Sequence, residues 1–508
     1  LDAIRRRENA LTVGCVASHD GKPCERGGLV GSERAVAQYE ALKKSPIDLG
    51  KLELVRTPAF DAYYGSLVNL GIFKWTEKAP SDESPHEEGG EEDRPRSVDD
   101  LELTDLGLGL AQDYESMVGS LSAVTAVASR PPVTSARALS ELGKRAGLCE
   151  LAGPGAKDRE RLRAMFFNTD QDRKQSHLFR RSSLLLLLEL VRQLEENEAQ
   201  LSAAVFADAV YHDACLLDDG TLLQFQWPEQ LADIVRRWRM FYCHYYLSVS
   251  LESLLVCVLS ALQQAGLRGL LFADVATDVV GTAVSSELSN LLGVAVPNSF
   301  IDATPEAVFR AMGINVPTAA MLDSAIDAQS VAAEWRFERH LRDRSIMPSS
   351  DGAALALMLF SVVVGRYAQW SDTDYGKWLA NCVDDPYLDT CPPVVLNELE
   401  RHFSDWWTTP WRKLALFVIS RFVIRQHEAL AYERSRAGAK ALLEVDGDRV
   451  RVQGNYDEIG VSNPRFNNAV LILKDLALLE DKKDLELTVL TKEGRAYLAT
   501  ELRRKMKP

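Results

Sequence analysis

Several things are missing from this 508-residue chain, and each absence removes a class of chemistry. There is no G-x-x-x-x-G-K-[ST] loop, no G-x-G-x-x-G turn and no G-x-S-x-G elbow. Glycines at those spacings let backbone approach a phosphate or expose a nucleophile, so P-loop, dinucleotide-binding and α/β-hydrolase chemistry are not expected. None of the eight cysteines forms a C-x-x-C pair. Scattered Cys15, Cys24, Cys149, Cys215, Cys243, Cys257, Cys382 and Cys391 read as reduced thiols rather than a disulfide frame or a zinc site, and no metal or cofactor is expected. Long apolar runs are also lacking. Ser183 to Val191, Tyr246 to Leu262 and Ala353 to Val364 are each shorter than about 18 residues, and Glu189 and Glu252 interrupt the first two, so no membrane span is expected. Ile4-Arg5-Arg6-Arg7-Glu8 leads into no signal-peptide apolar region, which points to a cytoplasmic protein.

Excess positive charge is lacking too. The net charge is -15 and the pI about 5.2, so the whole-molecule field repels polyanions and a nucleic-acid contact requires a local basic patch. What is present is 46% apolar residues, enough for two to four packed domains.

The run from Lys78 to Asp100 is rich in Pro, Gly, Ser and acid, with almost nothing to bury, and reads as a disordered loop. Its flanks, FDAYYGSLVNLGIFKW and LELTDLGLGLAQDYE, recur at the other end of the chain as FNNAVLILKDLALLE and LELTVLTKEGRAYLATELR. Phe60 aligns with Phe466 and Leu70 with Leu476, while Leu103-Thr104 and Gly107 align with Leu490-Thr491 and Gly494. Each copy reads as a helix, a small step at Gly71 or Ala477, a two-stranded hairpin, and a helix opened by Thr104 or Thr491 as N-cap. That order is the second half of a winged helix.

Between the copies the pattern is helical: Arg180 to Glu196, Pro228 to Gln264, Ala328 to Asp343, Gly352 to Trp370 and Pro410 to Arg436. Ala441 to Val452 reads as a hairpin turning at Asp446-Gly447, an insertion relative to a minimal winged helix. The expected fold is mainly α: an N-terminal winged-helix-like domain at 1–118 with the loop at 78–100, a helical domain at 119–436, and a C-terminal winged-helix domain at 437–508.

Ser462-Asn463-Pro464 offers a cap and a helix-start proline for a helix from Arg465 that turns Phe466, Val470 and Leu473 inward. Its other face carries Arg465, Asn467, Asn468 and Lys474. Arginine and asparagine match guanine and adenine edges, and Lys482 and Lys483 at the wing, with Arg503, Arg504, Lys505 and Lys507 in the tail, suit phosphates. The bland alternative is a solvated polar face, because Asp475, Glu480, Asp481 and Asp484 stand among these cations. In the N-terminal copy, Phe60 to Leu70 carries Asp61 and no Lys or Arg, which argues against DNA.

Other clusters read as structural. Arg5, Arg6 and Arg7, then Arg159, Arg161, Arg163, Arg173, Lys174, Arg180 and Arg181, and Arg236, Arg237 and Arg239, fit charged faces of amphipathic helices. Trp238, Phe241, Tyr242, Tyr245 and Tyr246 follow helical spacing and read as core. His212, Cys215, Cys243 and His244 would need their helices to meet before they made a metal site, and His427-Glu428 lacks the second histidine of a metalloprotease helix.

Arg5-Arg6-Arg7-Glu8-Asn9-Ala10, Tyr63-Tyr64-Gly65, the helical middle and the Phe466 to Leu479 helix resemble winged-helix proteins of prokaryotic anti-phage defence loci. The resemblance implies a subunit acting beside a helicase or nuclease and transfers no catalytic residue. A winged helix at each end is also similar to kleisin subunits, which bridge the ATPase heads of SMC-type complexes. The expectation is therefore a non-enzymatic adaptor or DNA-binding subunit of a multi-protein complex, contacting DNA or a partner through its C-terminal winged helix. The alternatives are a kleisin-like bridge and a nuclease with an unrecognised centre.

Overall fold

The computed structural model describes residues 2–24, 29, 31–44, 46–54, 59–76, 100–153, 157–167, 175–282, 284–292, 296, 299–314, 333–342, 347–371, 373–381, 391–435, 441–454, 464–482 and 486–503. Nearly all of the acidic loop, together with Arg173, Lys174, Cys382, Ser462, Asn463, Lys483, Asp484, Arg504, Lys505 and Lys507, lies outside them. The protein is 67% helical with a few short strands, and so mainly α. It divides into two compact units: Leu1–Gln200 together with Arg465–Pro508, and Leu201–Pro464.

In the first unit, helix Asp2–Ser18 crosses helix Ala136–Ala146 at Gly14 and Gly143. A Cβ on Gly14 would strike Leu139 O and one on Gly143 would strike Gly14 O, so only glycine permits this backbone approach. Val13, Val16, Leu49, Leu54, Leu139 and Leu142 close the core around the crossing. Ser135 caps the second helix, accepting from Ala138 N at 3.2 Å.

Two helix–hairpin–helix modules complete this unit. The first comprises helix Ala59–Asn69, strands Phe73–Trp75 and Leu101–Leu103, and helix Asp105–Val118. The second comprises helix Phe466–Asp475, strands Leu479–Lys482 and Leu487–Leu490, and helix Lys492–Arg503. Helices Arg159–Phe167 and Gln175–Glu196 hold both. Leu184 to Leu188, Leu190, Val191 and Leu194 of the longer one are all buried.

The second unit is built on helices Ala232–Ala265 and Ser350–Trp370. Both are long and apolar enough to cross a membrane by length and composition, the first counted as Glu229–Arg268 with the short 3-10 turn at each end, but an apolar 18-residue stretch of the first is 72% buried within the fold and one of the second 89%. The run Ala353 to Val364 has no exposed residue, as expected of a central core helix. Helix Trp411–Val418 continues through a π-helical stretch, Ile419–Ile424, into helix Arg425–Ser435. Leu443–Asp446 pairs with Arg449–Val452 through a turn at Gly447, whose φ of 65° suits glycine. Leu270–Leu271 adds a third strand. The inserted hairpin therefore belongs with this helical unit and not with residues 465–508.

Candidate functional site

The two modules share one hydrogen-bond pattern. Ile72 N donates to Leu67 O and Leu478 N to Leu473 O, each at 2.9 Å. Gly71 N donates to Val68 O and Ala477 N to Lys474 O, each at 3.0 Å. The step residues lie in the left-handed region, with φ of 77° at Gly71 and 54° at Ala477. Thr104 Oγ1 donates to Gly71 O at 2.5 Å and accepts from Gly107 N at 3.1 Å; Thr491 Oγ1 donates to Ala477 O at 2.8 Å and accepts from Gly494 N at 2.9 Å. A Cβ on Gly107 would strike Ile72 O, and one on Gly494 would strike Leu478 O. The threonine spans the step and the next helix, and the glycine lets that helix lie against the backbone.

The supporting helices grip both modules with charge. Arg161 Nε lies 2.6 Å from Asp113 in the first. Arg163, almost wholly buried, donates to Leu476 O at 2.8 and 2.5 Å, and also to Glu160 and Glu493. His177 Nε2 donates to Asn69 O at 2.7 Å, at the end of the first module's leading helix. Arg181 meets Glu501, 4% exposed, at 2.5 Å, and Arg495 reaches back to Glu195 at 2.6 Å. The Arg163 hydrogen bond lowers the Glu493 pKa, and Arg495, with Lys482 adding its field, lowers that of Glu195. Arg159 and Arg180 are bound to backbone carbonyls, Ala152 O and Gly153 O for the first and Phe166 O and Met165 O for the second. The described part of this arginine-rich stretch is thus committed to internal bonds.

The candidate contact residues are now placed. Helix Phe466–Asp475 buries Phe466, Val470 and Leu473 and exposes Asn467 and Asn468. Arg465 is exposed and is itself the N-cap, at φ 58° with no side-chain cap bond. This corrects one expectation: Pro464 precedes the cap and does not open the first helical turn. Lys474 is not an outward cation, because its Nζ lies 2.6 Å from Asp481 and its side chain is 17% exposed. Lys482 is exposed; Lys483 lies outside the described residues. Residues 465–503 carry seven Lys/Arg against seven Asp/Glu, a net charge of zero. A separate open groove of about 890 Å³ is lined by Lys43, Lys44, Arg137 and Lys144, with Asp20 and Glu141 among them. Four cations against two anions leave too little charge for strong phosphate-driven affinity.

In the second unit, His212, Cys215, Cys243 and His244 do not gather into a ligand set among the described residues. His212 Nε2 instead lies 3.4 Å from Glu334 Oε2, and Arg366 donates to Glu334 Oε1 at 3.0 Å. Burial pushes the Glu334 carboxyl up, but Arg366 and His212 outweigh it and hold it below its ordinary value. Burial lowers His212 against the pull of Glu334, and burial with Glu334 raises Asp208 well above its ordinary value. All four side chains are buried, which suits a structural network better than a centre that substrate must reach. Tyr245 Oη donates to Glu338 Oε1 at 2.6 Å, and Tyr242, Tyr245 and Tyr246 lie in the core, whereas Trp238 and Phe241 are half-buried and the buried Tyr246 hydroxyl has no hydrogen-bond partner among the described residues. His427 Nε2 accepts from Leu442 N at 3.0 Å and Glu428 Oε1 from Val445 N at 3.2 Å, tying the hairpin to helix Arg425–Ser435.

Among the described residues one group of ligand-type residues does converge, and nothing in the spacing announces it. His19, Cys24 and Cys149 place one ligand atom each within 4.8 Å of the others. Burial and the adjacent Cys24 push the Cys149 thiol up to about 12.

No protein-family model, curated protein or solved structure matches the chain.

Proposed function

We propose that this protein is a non-enzymatic adaptor subunit of a multi-protein complex, and that its C-terminal module, read as a winged helix, docks a protein partner through the face bearing Arg465, Asn467 and Asn468. The observation that carries this reading is the charge arrangement. Lys474, Arg495, Arg163 and Arg181 are paired with carboxylates, and residues 465 to 503 are electrically neutral, with Arg504, Lys505 and Lys507 following outside the described residues. DNA affinity comes mostly from unpaired cations that neutralise phosphates, whereas a face of two amides beside one arginine suits a polypeptide surface.

Both modules rest on the same pair of helices, which favours one shared docking face over the separated ends that a kleisin-like bridge uses. Following the sequence resemblance to defence-locus proteins, we take the partner to be a helicase, nuclease or SMC-type ATPase and the process to be anti-phage defence in the cytoplasm. The test pairs two measurements on the full chain. Fluorescence anisotropy with duplex DNA across a salt series is expected to change little on Arg465→Ala or on Lys482→Ala with Lys483→Ala. Co-purification of a stoichiometric partner from the native host is expected to be lost on Asn467→Glu with Asn468→Glu. Metal-dependent DNA cleavage by the purified chain, abolished by substituting an acidic pair, would overturn the adaptor reading.

A further inference from the structure

Helices Asp2–Ser18 and Ala136–Ala146 end close together because they cross at Gly14 and Gly143 with backbone in contact. His19 lies just beyond the end of the first and Cys149 just beyond the end of the second. Cys24 comes in from the segment after the first helix, so residues up to 130 positions apart meet at one place, each half-buried. Around a tetrahedral zinc ion, bonds of about 2.0–2.3 Å set neighbouring ligand atoms roughly 3.3–3.8 Å apart. The three ligand atoms already lie within 4.8 Å, so small rotamer changes suffice.

The histidine is arranged as metal-binding histidines usually are. Its Nδ1 lies 2.8 Å from Cys15 O and 3.1 Å from Ser18 Oγ. Donation from Nδ1 to that carbonyl fixes the tautomer and orients the ring, leaving Nε2 with its lone pair available. Cys15 is a neighbour of the group and not a member of the convergent set. A Cβ built on Gly147 would lie 3.4 Å from its Sγ and 3.3 Å from Cys149 Sγ, so a side chain at 147 would crowd both sulfurs. Cys149 Sγ also lies 4.0 Å from Glu150 Oε1.

We propose that His19, Cys24 and Cys149 form a binding site for a single zinc ion in the first unit. Two thiolates and one imidazole select a borderline-soft divalent ion over magnesium or calcium. Three protein ligands leave the fourth position of a tetrahedral ion to water, and the site serves to cross-link the fold. It pins together the ends of the two crossing helices and the segment that carries Cys24. Binding releases thiol protons to solvent and changes no oxidation state.

The test uses the full chain purified under reducing conditions. After dialysis against Zn²⁺ and removal of excess, metal analysis is expected to give about one zinc per chain. The melting temperature is expected to rise on adding Zn²⁺ and to fall on adding a chelator. Replacing zinc by Co²⁺ in the unsubstituted chain is expected to produce thiolate-to-cobalt charge-transfer absorption and tetrahedral d–d bands, a signature independent of whether any variant folds. Cys24→Ser with Cys149→Ser is expected to lose both metal and bands, and Cys215→Ser, in the other unit, to keep them. A chain without bound zinc or cobalt bands whose thiols all titrate would overturn the proposal. So would a Cys24–Cys149 disulfide found in non-reducing peptide mapping of protein that excludes zinc.

Discussion

Thr104 and Thr491, 387 positions apart, occupy the same place in two copies of one module. Each hydroxyl donates to the carbonyl of a left-handed step residue and accepts from the N–H of a glycine three positions on. Alanine at either site removes the N-cap and one further hydrogen bond, and should destabilise the first unit by about 1–2 kcal/mol. Denaturant titration of Thr104→Ala and Thr491→Ala should give similar losses, largely restored by serine. A loss at one site alone would mean that the two modules are not equivalent.

The step residues differ in chemistry. Ala477 holds φ of 54° where Gly71 holds 77°, and a Cβ in the left-handed region costs about 1–2 kcal/mol, partly offset by the larger chain entropy of glycine. Ala477→Gly should therefore raise stability by about 0.5–1 kcal/mol, and Gly71→Ala should lower it by a similar amount. Thermal unfolding of the two variants checks the opposite signs.

Arg181 and Glu501 form a largely buried pair, and removing one partner leaves a charge without its counterion. Glu501→Ala should cost about 3–5 kcal/mol, enough to loosen the C-terminal helix. Hydrogen exchange should show faster exchange across residues 492–503. Unchanged protection there would show that the pair does not anchor the module.

Acid should weaken the second unit through two buried histidines and Glu334, with Asp208 opposing them. Burial lowers the pKa of His212 and of His427, whose Nε2 must stay unprotonated to accept from Leu442 N. A base lowered in the folded state contributes stability above its unfolded value, about 6.5, and loses it as pH falls. Glu334, also lowered, contributes above its ordinary carboxylate value and loses that contribution at still lower pH. Asp208 is raised and works the other way, so stability falls as pH climbs above its unfolded value. Urea midpoints should therefore drop from pH 7 to 5, less steeply in His427→Gln, and Asp208→Asn should gain stability at pH 7–8.

The sequence made some of this legible and hid the rest for physical reasons. Helix periods, the Asp446-Gly447 turn and the threonine caps are local signals, and they mark Gln175–Glu196, Ala232–Ala265, Ser350–Trp370 and both modules. The internal repeat was readable because the step, the cap and the close-packed glycine each demand a residue type. The ion pairs were not. Arg163 and Lys474 look like outward cations on a helical wheel, and only the packing of helix Arg159–Phe167 and the hairpin register bring Leu476 O, Glu493 and Asp481 to them. The His19, Cys24 and Cys149 group was equally hidden, because Gly14 and Gly143 carry no mark of the crossing they permit.

The most direct test of the docking account is a photo-crosslinking amino acid at Asn468 in the full chain, activated in the native host. The account predicts a crosslink to one polypeptide, reduced when Asn467→Glu is added. A crosslink to nucleic acid, joined with salt-dependent DNA binding that Arg465→Ala abolishes, would contradict it.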